Sequence, residues 1–262
     1  MKATWYKKTA PAKEVLKVGE MEAPRATEDE VRIRVRSSGV NPADVKLRSG
    51  ASNYGYNFPL VIPNSDGAGI VDQVGFNVPK SLMNKRVWFF NGQRLGRAHG
   101  SAAEFIALDK NFVTPLSVDI SFEEGATLGI PAMTAYHSVF SDGPVSGKII
   151  LVTGGSGAVG FYAVSLASWG GAKVIATVSN SNKAQNAILG GAKETINYKT
   201  ENIITRVAKL TDGKGVDRII SVDFADSLKW LTNVISKNGT VVAYASDTNR
   251  TCLLYTSDAA DE

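Results

Sequence analysis

The sequence predicts an α/β protein in which a β-rich N-terminal domain precedes a doubly wound parallel sheet. Three observations carry that prediction. An apolar, β-branched run, Lys148 to Val152, ends in Thr153 and opens into the glycine-rich Gly154-Gly155-Ser156-Gly157-Ala158-Val159-Gly160. A helix-like stretch, Phe161 to Trp169, and a second buried-type strand, Ala172–Val178, follow it and close a β-α-β unit of the usual size, about thirty residues. Beyond that unit strands alternate with helices, whereas the residues before about 115 offer short strands and little helix.

The N-terminal strands are expected at Ala3–Lys8, Val15–Met21, Val31–Arg36, Gly67–Val74, Arg86–Phe90 and Ala103–Leu108. In the third, Val31, Ile33 and Val35 alternate with Arg32, Arg34 and Arg36, so one face is apolar and the other charged. Few helices are expected there, foremost Pro42–Arg48. Pro42 suits its first turn, where the missing N–H has no helical partner, and Asn41 suits the N-cap.

From Ser121 the texture turns helical. Ser121 and Glu124 have capping-box spacing, and a further helix is expected over Pro131–Phe140. Strands at 148–153, 172–178, 194–197, 217–222 and 240–245 then alternate with helices at 158–169, 181–189, 201–210 and 226–236. Gly190 and Gly213 stand where helices are expected to stop. The domains are drawn at 1–120 and 121–250.

Residues 251–262 do not continue the pattern. A doubly wound dinucleotide domain has six strands, and only five are found here. The domain is therefore expected to be incomplete at its C-terminus, with a foreign or frame-shifted tail or, alternatively, a native disordered end. Gly239–Ala245, apolar and free of proline and charge, would then be an edge strand prone to pair with another chain. Aggregation or ill-defined oligomers are the expected outcome, read by light scattering and gel filtration.

Hydrophobic residues make up 44% of the 262 and charged residues 21%, enough for a sizeable core. A net charge of +4, spread along the chain, argues against a nucleic-acid surface. One cysteine, Cys252, excludes a disulfide framework and a multi-cysteine zinc site. No apolar run approaches membrane-spanning length and no signal-peptide core opens the chain, so a cytoplasmic location is expected.

Gly155, Gly157 and Gly160 fit the G-x-G-x-x-G spacing of a dinucleotide site, although an ordinary glycine-rich loop shares that spacing. Free N–H groups at the start of the following helix would face a pyrophosphate, whose charge the helix dipole favours. Enzymes that prefer NAD place an acid about twenty residues further on, to accept the ribose hydroxyl. Ser179 stands nineteen residues beyond Gly160, and the run Thr177 to Lys183 contains no acid. A 2′-phosphate would meet hydroxyls, amides and the Lys183 ammonium, so NADPH is the expected cofactor.

Several separated motifs also arrive in a familiar order: Asn41-Pro42-Ala43-Asp44-Val45-Lys46, Pro63-Asn64-Ser65-Asp66-Gly67-Ala68-Gly69, and Gly129 to Tyr136. With the glycine turn, they make residues 1 to about 246 resemble the medium-chain dehydrogenase/reductase superfamily, and within it the zinc-independent, zeta-crystallin-like NADPH:quinone oxidoreductases. The resemblance implies a GroES-like β-barrel domain, a Rossmann domain, an active site in the cleft between them and a homodimer. It implies hydride transfer to a quinone, an enone or a similar conjugated carbonyl. Asn41, Tyr54 and Thr134 would line the nicotinamide and substrate cleft, Tyr54 or its competitor Tyr56 could hydrogen-bond a developing oxyanion, and Tyr198 would be a second phosphate contact.

The zinc-dependent relatives carry a cysteine in the segment matching Gly39–Asp44 and a histidine in the one matching Asn64–Asp66. This chain has neither there, and its two histidines, His99 and His137, are better read as structural, so no catalytic metal is expected.

Two other classes fit less well. A short-chain dehydrogenase needs Tyr-x-x-x-Lys, and none of the eight tyrosines has a lysine four residues on. A methyltransferase would leave the N-terminal β domain unexplained. A protein that holds NADPH in a binding or structural role remains the alternative to an enzyme.

Overall fold

The computed structural model describes residues 1–51, 58–94 and 96–246. Tyr54, Tyr56, Cys252 and the tail 251–262 therefore lie outside the described residues. The chain divides into two compact units, Met1–Met133 and Thr134–Glu262.

The first unit is built on strands. β1 (Lys2–Trp5) and β2 (Lys17–Glu20) form an antiparallel ribbon, with the short helix α1 (Ala12–Val15) between them. β3 (Glu30–Gly39) is followed by α2 (Pro42–Ser49), then β4 (Asp66–Val74), β5 (Arg86–Phe89), β6 (Phe105–Asp109) and β7 (Val113–Pro115). These make an antiparallel sheet in the order β6-β3-β4-β5-β7. Val31 and Ile33 of β3 bury with Val71, Val87, Phe89, Ile106 and Leu108 in one cluster, as the period-two alternation requires. The predicted strand over Val15–Met21 is shorter than expected, because Val15 closes α1 and its side chain packs with Tyr6 and Val61.

α3 (Phe122–Gly125) carries the predicted capping box: Glu124 N donates to Ser121 Oγ at 3.1 Å, and Ser121 N returns a bond to Glu124 Oε2 at 2.8 Å. Next comes one π-helical turn, Leu128–Ala132, with Pro131 inside it, and then α4 (Met133–Phe140). Proline has no N–H to give to the ladder, and a widened turn accommodates that loss. The predicted helix start at Pro131 thus falls inside a turn that begins earlier.

The first unit ends at Met133, beyond the boundary drawn near 120. Packing explains the difference: a Cβ on Gly125 would lie 2.8 Å from Leu116, and one on Gly129 2.4 Å from Asp66 Oδ1, so both turns sit tightly on this unit.

The second unit alternates β8 (Ile149–Val152), α5 (Ala158–Trp169), β9 (Lys173–Val178), α6 (Ser181–Leu189), β10 (Glu194–Asn197), α7 (Ile203–Leu210), β11 (Val216–Ser221), α8 (Phe224–Ser227) and β12 (Ile235–Ala243). The sheet is parallel, in the order β10-β9-β8-β11-β12. Alternate residues bury on opposite faces. Ile150, Val152, Val174, Ala176 and Ile220 pack with Ala163, Val164 and Ala167 of α5, whereas Leu151, Ile175 and Ile219 pack with Val207 of α7.

The helix predicted over 226–236 is a correction. α8 ends at Ser227, Leu231–Asn233 forms one 3₁₀ turn, and Ile235 already pairs with Val216 of β11. Sheet pairing outcompetes helix propensity there, and Asn238 at φ 63 bends the new strand. Arg218 of β11 is buried, its Nη1 donating to Ser138 O of α4 at 2.8 Å and its Nη2 pairing with Asp142. Among the described residues no helix is long and apolar enough to cross a membrane.

Candidate cofactor and active site

The glycine turn leaves the C-terminal end of β8, beside the point where the strand order reverses toward β11. Ligands of open parallel sheets bind at such reversals. The residue that needs glycine's conformational freedom is Gly154, at φ +63. Its N–H goes to Thr177 Oγ1 at 3.1 Å, and the next, on Gly155, goes to Thr177 O at 3.0 Å, so the turn is bolted to β9.

The other glycines are set by contact. A Cβ on Gly155 would stand 2.6 Å from Ala176 Cβ, and one on Gly160 2.2 Å from Gly154 O. Gly157 is the exposed N-cap of α5, with Ala158 and Val159 following, and Ser156 is half-buried ahead of it. The first intrahelical bond runs from Phe161 N to Gly157 O at 2.8 Å. The N–H groups of Ala158, Val159 and Gly160 therefore precede the helical ladder and need other acceptors. A bare, dipole-aligned turn whose shape tolerates no Cβ at two positions fits a dinucleotide pyrophosphate.

Ser179 directly follows β9 and is half-buried. The parallel register sets Asn197 against Val178, and Tyr198 N donates to Val178 O at 3.1 Å. Ser179 and Tyr198 thus leave neighbouring strand ends, and Tyr198 is 49% exposed. Asn180 caps α6 by accepting Lys183 N at 2.9 Å, and the Lys183 side chain is exposed on that first turn. The predicted phosphate-binding residues thus follow the C-terminal ends of the adjoining strands β8, β9 and β10.

Asn41 belongs to the first unit and Thr134 to the second. Thr134 is half-buried on α4, and its carbonyl accepts Ser138 Oγ at 2.7 Å. Asn41 does sit at the N-cap of α2, in extended backbone. Its N–H goes to Asp44 Oδ2 at 2.8 Å, while its side-chain Nδ2 donates to Asp66 Oδ2 at 2.8 Å. The same Asp66 oxygen accepts Ile130 N at 2.8 Å, from the π-helical turn. Ser65 Oγ donates to Asp44 Oδ1 at 3.1 Å.

These carboxylates are buried, Asp66 fully and Asp44 at 5% exposure. Burial raises the Asp44 carboxyl above the usual range, against the hydrogen bonds it accepts from Asn41 and Ser65. Burial also pushes Asp66 up to about 6, opposed by the bonds from Ile130 and Asn41, reinforced by the Asp44 charge and opposed again by Arg94. The role of Asp66 was missed in the sequence, where the only signal is an acid opening an otherwise small and apolar run, Gly67 to Val71.

This donor set does not suit zinc. Asn41, Asp44, Asn64, Ser65 and Asp66 offer amides, a hydroxyl and carboxylates, without thiolate or imidazole. Asn64 Nδ2 is committed to Ser38 Oγ at 2.9 Å, both Asp44 oxygens accept hydrogen bonds, and of the Asp66 oxygens Oδ2 accepts two. Among the described residues no group of three or more His, Cys, Asp or Glu could hold a metal ion.

Comparison with known proteins places this geometry. The alcohol dehydrogenase GroES-like domain matches residues 27–118, and the zinc-binding dehydrogenase family matches residues 158–258. The quinone oxidoreductase of Rattus norvegicus is 32% identical over 231 residues, which cover 87% of this chain and 68% of that protein. The chain belongs to the quinone oxidoreductase family, within the medium-chain dehydrogenases/reductases. Its architecture, a GroES-like unit followed by a Rossmann-type sheet, is that of the family.

Solved quinone oxidoreductases are similar to it in fold. That of Pseudomonas syringae pv. Tomato has a TM-score of 0.81 at 30% identity, covering 94% of this chain and 73% of that one. That of Escherichia coli, complexed with NADPH, has a TM-score of 0.85 at 25% identity, covering 97% of this chain and 76% of that one.

Proposed function

We propose that this quinone oxidoreductase family member binds NADPH and reduces a quinone, or a similarly conjugated carbonyl, by hydride transfer without zinc. The observation that carries the reading is the glycine turn at the strand-order reversal, followed after β9 by Ser179 in place of an acid. The relatives named quinone oxidoreductases, one of them solved with NADPH, point the same way.

Bound NADPH would supply two electrons as a hydride, and one proton from solvent or a side chain completes a hydroquinone. The chain's part is placement and electrostatics. Ala158, Val159 and Gly160 offer N–H donors to the pyrophosphate, and Ser179, Lys183 and Tyr198 offer uncharged and cationic contacts to the 2′-phosphate. Asn41 and Thr134 are assigned to the nicotinamide and carbonyl. Tyr54 is assigned to the developing oxyanion, with Tyr56 as its competitor.

Steady-state NADPH oxidation, followed by absorbance with a panel of quinones and enones, tests the reading. Turnover with at least one quinone is expected. Tight NADPH binding with no turnover on any of them would overturn the enzymatic reading in favour of a binding or structural role.

Zinc independence has its own test. Pre-incubation with a chelator is expected to leave NADPH-dependent quinone reduction unchanged, because the residues in the ligand segments suit zinc poorly. Loss of activity on chelation, restored by zinc, would contradict it.

A further inference from the structure

We infer that Asp66 is a positioning residue for this reaction, one that selects the orientation of the Asn41 amide and anchors the Ile130 turn with the same carboxylate oxygen. The inference rests on the assignment of Asn41 to the nicotinamide and carbonyl. An asparagine side chain has a donor end and an acceptor end of nearly equal size, so packing alone does not choose between its two flips. A carboxylate only accepts. With Asp66 Oδ2 2.8 Å away, the Asn41 Nδ2 end must face it and the carbonyl end must face away. Asn41 is itself buried, with 5% exposure, so solvent does not compete for that choice.

The position is held at a cost that packing would not select. Asp66 is fully buried, and its Oδ1 has no hydrogen-bond partner among the described residues. Asp44 lies near enough to raise its carboxyl further, and Arg94 only partly opposes that. A buried, incompletely satisfied carboxylate destabilises a fold, and an amide or apolar side chain of similar size is commonly as stable or more so. Ile130 N, on the turn that runs into α4, shares the same oxygen, so one group sets two backbone-remote elements. The space beside Oδ1 is closed by Gly129, where a Cβ would come within 2.4 Å.

The test is a double-mutant cycle on the full chain with Asn41→Ala, Asp66→Asn and the pair. The amide introduced by Asp66→Asn is nearly isosteric with the carboxylate but can donate as well as accept, and so would leave the Asn41 flip to the capping-box contact of its side chain with the Asp44 backbone N–H alone. Each single variant is expected to lower kcat/KM for NADPH-dependent quinone reduction by roughly 10–100-fold, the scale on which misplacing a contact group acts. The pair is expected to be no worse than Asn41→Ala alone, since the carboxylate acts through the amide. NADPH affinity, titrated by fluorescence, is expected to show the same non-additivity.

A merely structural role predicts otherwise. Losses would multiply, and Asp66→Asn would lower the melting temperature at every pH. The acid's folded pKa lies above its unfolded value of 3.8, so its destabilising effect grows as pH rises toward about 6 and is complete above it. Relative to the parent, Asp66→Asn is therefore expected to melt more favourably at pH 8 than at pH 5.

Multiplicative losses, or parent-like kcat/KM in Asp66→Asn alongside an impaired Asn41→Ala, overturn the inference and leave the assignment of Asn41 standing. Parent-like activity in Asn41→Ala overturns both. Should Asp66→Asn not fold, Gly129→Ala displaces the carboxylate without removing it and is expected to be equally non-additive with Asn41→Ala; multiplied losses there also overturn the inference.

Discussion

Gly160→Ala is expected to abolish useful NADPH binding, lowering affinity by about 100-fold or more, and to lower the melting temperature. The added methyl would stand 2.2 Å from Gly154 O and 3.1 Å from the Gly155 Cα. Neither neighbour is the movable end of a side chain, so either the turn or the start of α5 must shift by something near an ångström. Displacements of that size cost around 100-fold where several donors must converge on one group. Gly154 has little room to yield, since its φ is +63 and its N–H is held by Thr177.

Gly157→Ala is the internal control. Gly157 is exposed, and its new methyl would meet Gly154 O at 3.2 Å, a tight contact that a shift of a few tenths of an ångström relieves, against the full ångström that Gly160→Ala demands. It is expected to leave the melting temperature near that of the parent while weakening NADPH binding by obstructing the approach of the phosphates. Fluorescence titration and thermal melting read both variants. Gly160→Ala binding NADPH within about threefold of the parent would show that the turn is not the phosphate site.

What the sequence made legible follows from the range over which its signals act. The second unit was readable because a buried parallel strand must be apolar on both faces, and Ile149–Val152 and Lys173–Val178 are nearly continuous apolar runs. β7 was not, since three residues ending in Pro115 carry no period, and only pairing with β5 makes them a strand. The helix expected over 226–236 failed for a related reason: the partner that turns Ile235 into strand is Val216, which no local window contains.

The candidate site divides along the same line. The glycines, Ser179 and Lys183 were legible as candidates because the roles proposed for them depend on spacing from one strand end. Asp66 was not, because its two partners lie 25 and 64 residues away in the chain. Arg218 is a parallel case: a cation in an apolar strand pattern, explained only by acceptors on α4 and the turn after it.

Ser179→Asp is expected to reverse the cofactor preference, from NADPH over NADH in the parent to NADH over NADPH in the variant. The parent preference rests on what stands at the end of β9. Ser179 is half-buried there, Tyr198 leaves the adjoining strand end through its bond to Val178 O at 3.1 Å, and Lys183 sits one turn into α6. An aspartate at 179 would place a carboxylate against a dianionic 2′-phosphate, and like charges so apposed cost several kcal/mol, which is on the order of 100-fold or more in NADPH affinity. The same carboxylate would accept the ribose hydroxyls of NADH, as the acid at this place does in NAD-preferring folds, so NADH affinity should rise rather than fall. Specificity is a difference of affinities, and one substitution here acts on both sides of it. Lys183→Ala separates charge from contact. It removes one exposed cation and is expected to weaken NADPH several-fold, more at low salt than at high, with NADH unaffected. Titration of both cofactors against parent, Ser179→Asp and Lys183→Ala decides the matter. Equal or tighter NADH binding by the parent would mean that this strand end does not read the 2′-phosphate.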